Sequence, residues 1–383
     1  MTLTARPDAR TSIGTTTSGS SAPPPPLQRR PRGIRTFIAG ISIVVLAAAV
    51  GALAATATTD DPAPTIIRQS VNADTPVSPT AASAVDPAAV GAVVIPSVAT
   101  IEVGSLSGGN FVAAGSGSGV VVDDSGHVVT NNHVVAGASA ARVVLPNGTV
   151  YAAELIGTDA ITDLAVLEIE ATGLTPITLG SSDALTVGDP AIAVGSPLGL
   201  EGGPSLSVGV ISAVGREVQT GADSLLYGML QTDAPITSGS SGGALVDGTG
   251  ALIGITTAVG VSNIGVEGIG FATPVEVVAR VVNEIIATGR ASHGVLGING
   301  STAYRTTDDG GLEPFGVTVQ SVAPDSSAST AGLGETDVIT AVEGVPVRTM
   351  DELITALRRV GVGDSVSVLL GNGATLAITL GSE

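Results

Sequence analysis

From about residue 91 the chain breaks into short apolar runs rich in β-branched residues, with turn residues between them. The runs cover 118–122, 127–130, 141–145, 150–156, 164–169, 191–194, 205–214 and 251–258. Runs of this length and punctuation read as strands. Asp123-Asp124-Ser125-Gly126 and Pro146-Asn147-Gly148 are hairpin-type turns. Many short strands at this spacing predict antiparallel β-barrels across 91–290. Residues 275–288 carry the first good amphipathic helical period and close the β region. A boundary follows at Gly289-Arg290. In 291–383, strand-like pieces at 316–321, 337–342, 365–370 and 374–380 surround a helical stretch at 351–359, which predicts a small α+β domain.

The first 90 residues follow other patterns. Residues 1–36 are rich in Ser, Thr, Pro and Arg without apolar periodicity and read as a disordered tail. Residues 37–57 contain no charge, and a helix of 21 residues spans roughly 31 Å, about one bilayer core. Arg29, Arg30, Arg32 and Arg35 precede it, so the tail is expected in the cytoplasm and the rest outside. A single-pass cell-membrane anchor is the favoured reading. A cleaved signal peptide, with small residues at Ala52-Leu53-Ala54, is the alternative. Residues 58–90 carry Pro, Ala, Thr, Ser and Asp with little pattern and read as a linker.

Composition narrows the picture. Hydrophobic residues make up 44% of the chain but aromatics only 2%, so the core must be built from Val, Ile, Leu and Ala. There is no Cys, hence no disulfide and no thiolate chemistry. Net charge is −19, and all 15 basic residues are Arg, six of them before residue 37. The acidic body speaks against nucleic acid as a partner.

Candidate chemistry centres on Thr232-Asp233-Ala234-Pro235-Ile236-Thr237-Ser238-Gly239-Ser240-Ser241-Gly242-Gly243-Ala244-Leu245. A turn of this kind exposes the hydroxyl of Ser241. It also aims N–H groups of the Gly239, Ser240, Ser241 segment, those of Gly239 and Ser241 above all, at a developing oxyanion. Gly242 and Gly243 let the chain leave without a Cβ near the substrate. A serine hydroxyl needs a base, and the chain has three His: His127, His133 and His293. His133 follows Thr130-Asn131-Asn132, where a strand ends and can present a side chain to a cleft, so it is preferred over His127. His293 lies at the domain boundary. The base needs a carboxylate. Among Glu154, Asp159, Asp163, Asp183 and Asp189, Asp163 is preferred because it opens the strand Leu164-Ala165-Val166-Leu167. Asp159 sits in a turn where Asp commonly caps its own backbone.

The order His133, Asp163, Ser241 is that of chymotrypsin-like double-barrel proteases. Five motifs resemble the HtrA/Deg serine proteases more closely: Gly115-Ser116-Gly117-Ser118-Gly119, Thr130-Asn131-Asn132-His133-Val134-Val135, Thr162-Asp163-Leu164-Ala165-Val166, Gly195-Ser196-Pro197-Leu198-Gly199, and Gln231 through Gly243. The resemblance covers about 91–383. It implies a mainly β double-barrel protease followed by a PDZ domain, with His133 as general base, Asp163 as its orienting acid and Ser241 as nucleophile. Where the family has Asn-Pro-Gly-Asn, this chain reads Thr237-Ser238-Gly239-Ser240, so the turn lacks Asn side chains that help fix it. The family's pocket spacing implies a floor at Pro235 and Ile236 with a wall at Ile255 and Thr256. No acid awaits Lys or Arg there, and a small aliphatic residue before the cut is expected. Val295-Leu296-Gly297-Ile298 resembles the PDZ carboxylate-binding loop, where successive N–H groups can hold an anionic terminus and a peptide adds as a strand.

The resemblance thus implies an extracytoplasmic endopeptidase acting on misfolded envelope proteins. Its partners would be protein or peptide substrates, C-terminal peptides at the PDZ domain, and the membrane through 37–57. No metal or cofactor is expected. Family members often form homotrimers, on which the sequence itself is silent. A client-holding module that does not cut is the alternative.

Overall fold

The computed structural model describes residues 85–196, 203–220, 224–257 and 269–382. The tail, the apolar stretch 37–57 and most of the linker lie outside the described residues, as do 197–199 and Ala258. Among the described residues no helix is long and apolar enough to cross a membrane.

A helix, Pro87–Val94, opens the described chain and crosses the boundary read at 90/91 between linker and strand-rich body. Asp86 caps it by accepting from the N–H groups of Ala88 and Ala89, and Pro87 in the first turn leaves no orphaned donor. Its sequence, PAAVGAVV, has no polar face to mark a helical period, which is why the pattern gave no signal. Val90 and Val94 are buried against the barrels that follow.

Six strands then close the first barrel in the order β1-β2-β3-β6-β5-β4. They are β1 (Val98–Ser107), β2 (Asn110–Val121), β3 (His127–Asn131), β4 (Ala140–Val144), β5 (Val150–Asp159) and β6 (Leu164–Ile169). The second barrel closes as β10-β11-β12-β9-β8-β7. Its strands are β7 (Pro190–Gly195), β8 (Ser205–Gln219), β9 (Leu225–Thr232), β10 (Ala244–Val246), β11 (Leu252–Thr257) and β12 (Gly270–Pro274).

Side chains alternate across each strand, so the strands facing the other barrel are buried twice. In β6, Leu164 and Val166 enter a core between the barrels, while Ala165, Leu167 and Ile169 fill the first barrel. In β11, Leu252 and Ile255 face the shared core and Ile253 the second barrel's interior. The helix Val275–Thr288 closes this shared core with Val277, Val278, Val281, Val282 and Ile285, and ends at Gly289 in the left-handed region.

The C-terminal domain is a sheet in the order β14-β15-β16-β18-β19. Its members are β14 (Ile298–Thr306), β15 (Leu312–Val322), β16 (Val338–Val342), β18 (Ser365–Leu370) and β19 (Thr375–Thr379). A short strand β17 (Val345–Pro346) pairs with β16, and β13 (Gly294–Val295) pairs with β20 (Gly381–Ser382). The helices Ser327–Ala331 and Met350–Arg358 pack on it.

Candidate active site

Asp163 precedes β6 with φ at 57°, a left-handed conformation that costs an L-residue about 1 kcal/mol. The strain is held by a ring of donors. The N–H of Asn132 (3.0 Å) and the side-chain amide of Asn131 (2.9 Å) donate to the Asp163 carbonyl. The N–H of His133 donates to Oδ1 at 2.9 Å, and the His133 ring places Nδ1 2.6 Å from Oδ2. The Thr257 hydroxyl, from the second barrel, donates to the same Oδ2 at 3.3 Å. His133 rides on a single helical turn, Asn132–Val135, directly after β3. Its side chain is 45% exposed whereas that of Asp163 is 11% exposed, so the acid is shielded and the imidazole opens to a cleft.

The Ser241 turn reaches this cleft from the second barrel. The Ser241 carbonyl accepts from the N–H of Ser118 at 2.8 Å. Gly242, with φ at 85°, lies so close to β2 and β3 that a Cβ would stand 2.2 Å from the Ser118 carbonyl oxygen and 2.4 Å from the Thr130 hydroxyl. A Cβ on Gly243 would stand 2.5 Å from the Val194 carbonyl oxygen. Only a Gly-Gly pair allows this approach. The turn is fixed by hydroxyls. Ser118 Oγ donates to the Gly239 carbonyl at 2.7 Å, and Thr256 Oγ1 donates to the Ser240 carbonyl at 2.7 Å. The Ser240 N–H donates to the Thr237 carbonyl at 2.9 Å. The Ser240 N–H is therefore committed within the turn itself.

The other two histidines also face aspartates. His127 Nδ1 lies 2.6 Å from Asp123 Oδ2 within the β2–β3 hairpin, and His293 Nε2 lies 2.9 Å from Asp159 Oδ2 at the root of the C-terminal domain. Burial works against the charge on Asp123, but the hydrogen bonds from the His127 ring and N–H outweigh it and hold the carboxyl below its ordinary value. Among the described residues no cluster of three or more His, Cys, Asp or Glu could hold a metal ion.

In the C-terminal domain, Val295, Leu296, Gly297 and Ile298 all line a cleft of about 740 Å³, opposite Leu353, Ile354 and Leu357 of the Met350–Arg358 helix. Gly297 takes φ at 76°, and a Cβ there would stand 2.4 Å from Ser326 Cβ. β14 is an edge strand, with no described strand on its cleft side. Tyr227 of β9 also lines the cleft.

The models of two families match this chain: a Trypsin-like peptidase domain over residues 117–255 and a PDZ domain over 294–377. Serine protease PepD of Mycobacterium tuberculosis is 33% identical over 391 residues, covering 93% of this chain and 79% of that protein. Periplasmic serine endoprotease DegP of Escherichia coli K12 is 38% identical over 273 residues, covering 69% of this chain and 56% of DegP. A solved HtrA-type protease, AlgW with a tripeptide, superposes with a TM-score of 0.61 at 34% identity, covering 78% of this chain and 97% of that one. The chain belongs to the HtrA family of serine proteases.

This HtrA protease is a serine endopeptidase with a C-terminal PDZ domain. The residues expected at a substrate pocket, Pro235, Ile236, Ile255 and Thr256, differ in their surroundings. Ile236 covers Gly270, where a Cβ would stand 2.6 Å from Ile236 Cδ1. The other three stand in different surroundings. Pro235 is exposed, Ile255 is buried in the core between the barrels, and the Thr256 hydroxyl is committed to the Ser240 carbonyl. Two residues that hold the site, Thr257 and Ser118, had been assigned no role of their own. Each is one hydroxyl in a chain rich in them, and only the meeting of the two barrels distinguishes it.

Proposed function

We propose that this HtrA protease cuts unfolded or misfolded envelope proteins outside the cytoplasm, anchored by residues 37–57. The observation that carries the catalytic reading is the 2.6 Å contact of His133 Nδ1 with a shielded Asp163, in the cleft that the Ser241 turn enters. In this reading Asp163 accepts from Nδ1–H, leaving Nε2 free to take the Ser241 proton as Oγ attacks the substrate carbonyl. The N–H groups of Gly239 and Ser241 receive the oxyanion. His133 returns the proton to the leaving amine, and water then releases the acyl group by the same route.

Ser241→Ala should lower turnover of a chromogenic peptide by roughly 10⁴- to 10⁶-fold while circular dichroism stays unchanged. His133→Ala should cost a similar factor, and the double variant little more, because the groups act as a unit. His127→Ala should change turnover by less than about tenfold, since its ring is tied to Asp123 in another hairpin. Activity lost on Ser240→Ala but kept on Ser241→Ala would sink the assignment.

Ile236 over Gly270 supports a shallow pocket and cleavage after small aliphatic residues. A cleavage-site profile on unfolded casein dominated by Lys or Arg would contradict this. The edge of β14 and the apolar cleft beside it support binding of C-terminal or extended peptides, and AlgW was solved with a tripeptide. The Arg cluster before residue 37 supports the orientation. Protease added to intact cells should digest 91–383 and spare 1–36. Protection of the body until lysis would reverse it.

A further inference from the structure

Of the three His–Asp contacts, only that of His293 is fully buried on both sides, and the proposed reaction does not use it. The His293 ring has two partners. Nε2 lies 2.9 Å from Asp159 Oδ2, and Nδ1 lies 3.3 Å from Arg280 Nη2. A guanidinium only donates and a carboxylate accepts, so Nε2 carries the hydrogen and Nδ1 accepts. Arg280, on the Val275–Thr288 helix, is itself clamped. Its Nη1 donates to the Ser292 carbonyl (2.9 Å) and to Glu284 Oε2 (3.2 Å), and its Nε donates to the Arg358 carbonyl (3.0 Å). Asp364 adds negative charge nearby.

On its other side the ring reaches the catalytic acid within one turn. Asp159 ends β5, beyond a register shift at Leu155/Gly157. Its Oδ1 accepts from the Ile161 N–H at 3.2 Å, and its Oδ2 accepts from the Thr162 hydroxyl as well as from His293. The next residue is Asp163, whose backbone is left-handed and whose carboxylate holds His133. The 159–163 turn is thus pinned at its far end by Asn131, Asn132 and His133, and at its near end by Asp159.

We infer that His293, backed by Arg280, is a positioning residue for Asp163: it fixes Asp159, and through the 159–163 turn it sets the carboxylate against His133. This rests on the reading of Asp163 as the catalytic acid. Without the ring, the Asp159 carboxylate stays buried with a lost donor. Its relief is to turn toward water, which takes Ile161 and Thr162 with it and frees Asp163 to drift. Misplacement of a catalytic group by a fraction of an ångström to an ångström costs rate with little effect on substrate binding.

The test uses the full chain with His293→Leu and His293→Gln. Gln can donate to Asp159 and accept from Arg280, and Leu can do neither. Expected for His293→Leu is a kcat about ten- to a hundredfold lower on a chromogenic peptide, KM within about twofold, and faster amide hydrogen exchange confined to 160–163. His293→Gln should recover most of the kcat and the protection. Wild-type kcat in the Leu variant, or a Gln variant no better than Leu, overturns the inference. If His293→Leu does not fold, Arg280→Met removes the second partner of the ring and is read against the same outcomes. If the wild type fails to cleave, the catalytic reading falls on its own. Exchange then decides the positioning claim, and unchanged protection of 160–163 in the Leu variant ends it.

Discussion

The Ser241 turn and the Asp163 carboxylate are both held by side chains that the chain supplies from the opposite barrel. Thr257 reaches across to Asp163 Oδ2, and Ser118 reaches across to the Gly239 carbonyl. Ser118 Oγ also accepts from the Ser196 N–H at 2.7 Å, so its one hydrogen is left for Gly239 alone. The Ser118 and Thr256 hydroxyls hold the Gly239 and Ser240 carbonyls of a turn that lacks Asn side chains. A hydrogen bond to a charged group contributes about 1.5 to 3 kcal/mol. Thr257→Val, nearly the same shape, should therefore lower kcat about tenfold with KM little changed. Steady-state kinetics on a short peptide checks it, and an unaltered kcat would show that the Thr257 hydroxyl does not orient Asp163.

At the scale of elements, the decisive ones are those buried on both faces. β6 follows Asp163 directly and contributes to two cores at once, so Asp163 stands at the edge of rigid structure. The Val275–Thr288 helix completes the shared core with a Val/Ile stripe and carries Arg280 on its other side. Ile285 is fully buried there. Ile285→Ala should cost about 2 to 5 kcal/mol by lost burial and the cavity left behind, read as a lower midpoint in urea unfolding. Gly157 of β5 lies against the end of this helix, where a Cβ would stand 2.3 Å from the Gly289 carbonyl oxygen. Gly157→Ala should destabilise as well, because backbone on both sides cannot give way.

For the molecule as a whole, the junction between barrels and PDZ domain is polar. It gathers Asp159, His293, Arg280, Glu284 and the end of the Met350–Arg358 helix, with Arg359 paired to Asp183 beyond them. Burial raises the cost of charging Asp159, but the bonds from His293 and Thr162 and the Ile161 N–H outweigh it, so its carboxyl titrates below its ordinary value. A carboxyl held lower in the folded state stabilises fully above the unfolded value of about 3.9 and loses that contribution as pH falls through the folded value. The melting temperature of the wild type should therefore exceed that of Asp159→Asn at pH 7. The gap should close as pH drops below about 4. A gap that persists unchanged at acid pH would show that charge on Asp159 is not what holds the junction.

The sequence alone determined the strand-rich body, the closing helix at 275–288, the smaller second domain and the residue types of the candidate triad in their order. These are local matters: β-branched runs and turns declare themselves within a few residues, and a Gly-rich turn around a Ser is legible as it stands. His133 and Asp163 were narrowed by where strands end, and the family resemblance then selected them. The tertiary structure alone decided which face of each doubly buried strand looks where. A continuous apolar run such as β6 or β11 carries no polar marker of its two sides, so the burial of Ile255 in the shared core was not legible. The helix Pro87–Val94, without a polar face, went unread for the same reason. Ser118, Thr257 and His293 acquire their roles only from partners 94 to 134 residues away in the chain. A hydroxyl or an imidazole has no pattern of its own in a sequence, and the closing of two barrels on each other supplies the partner that gives it one.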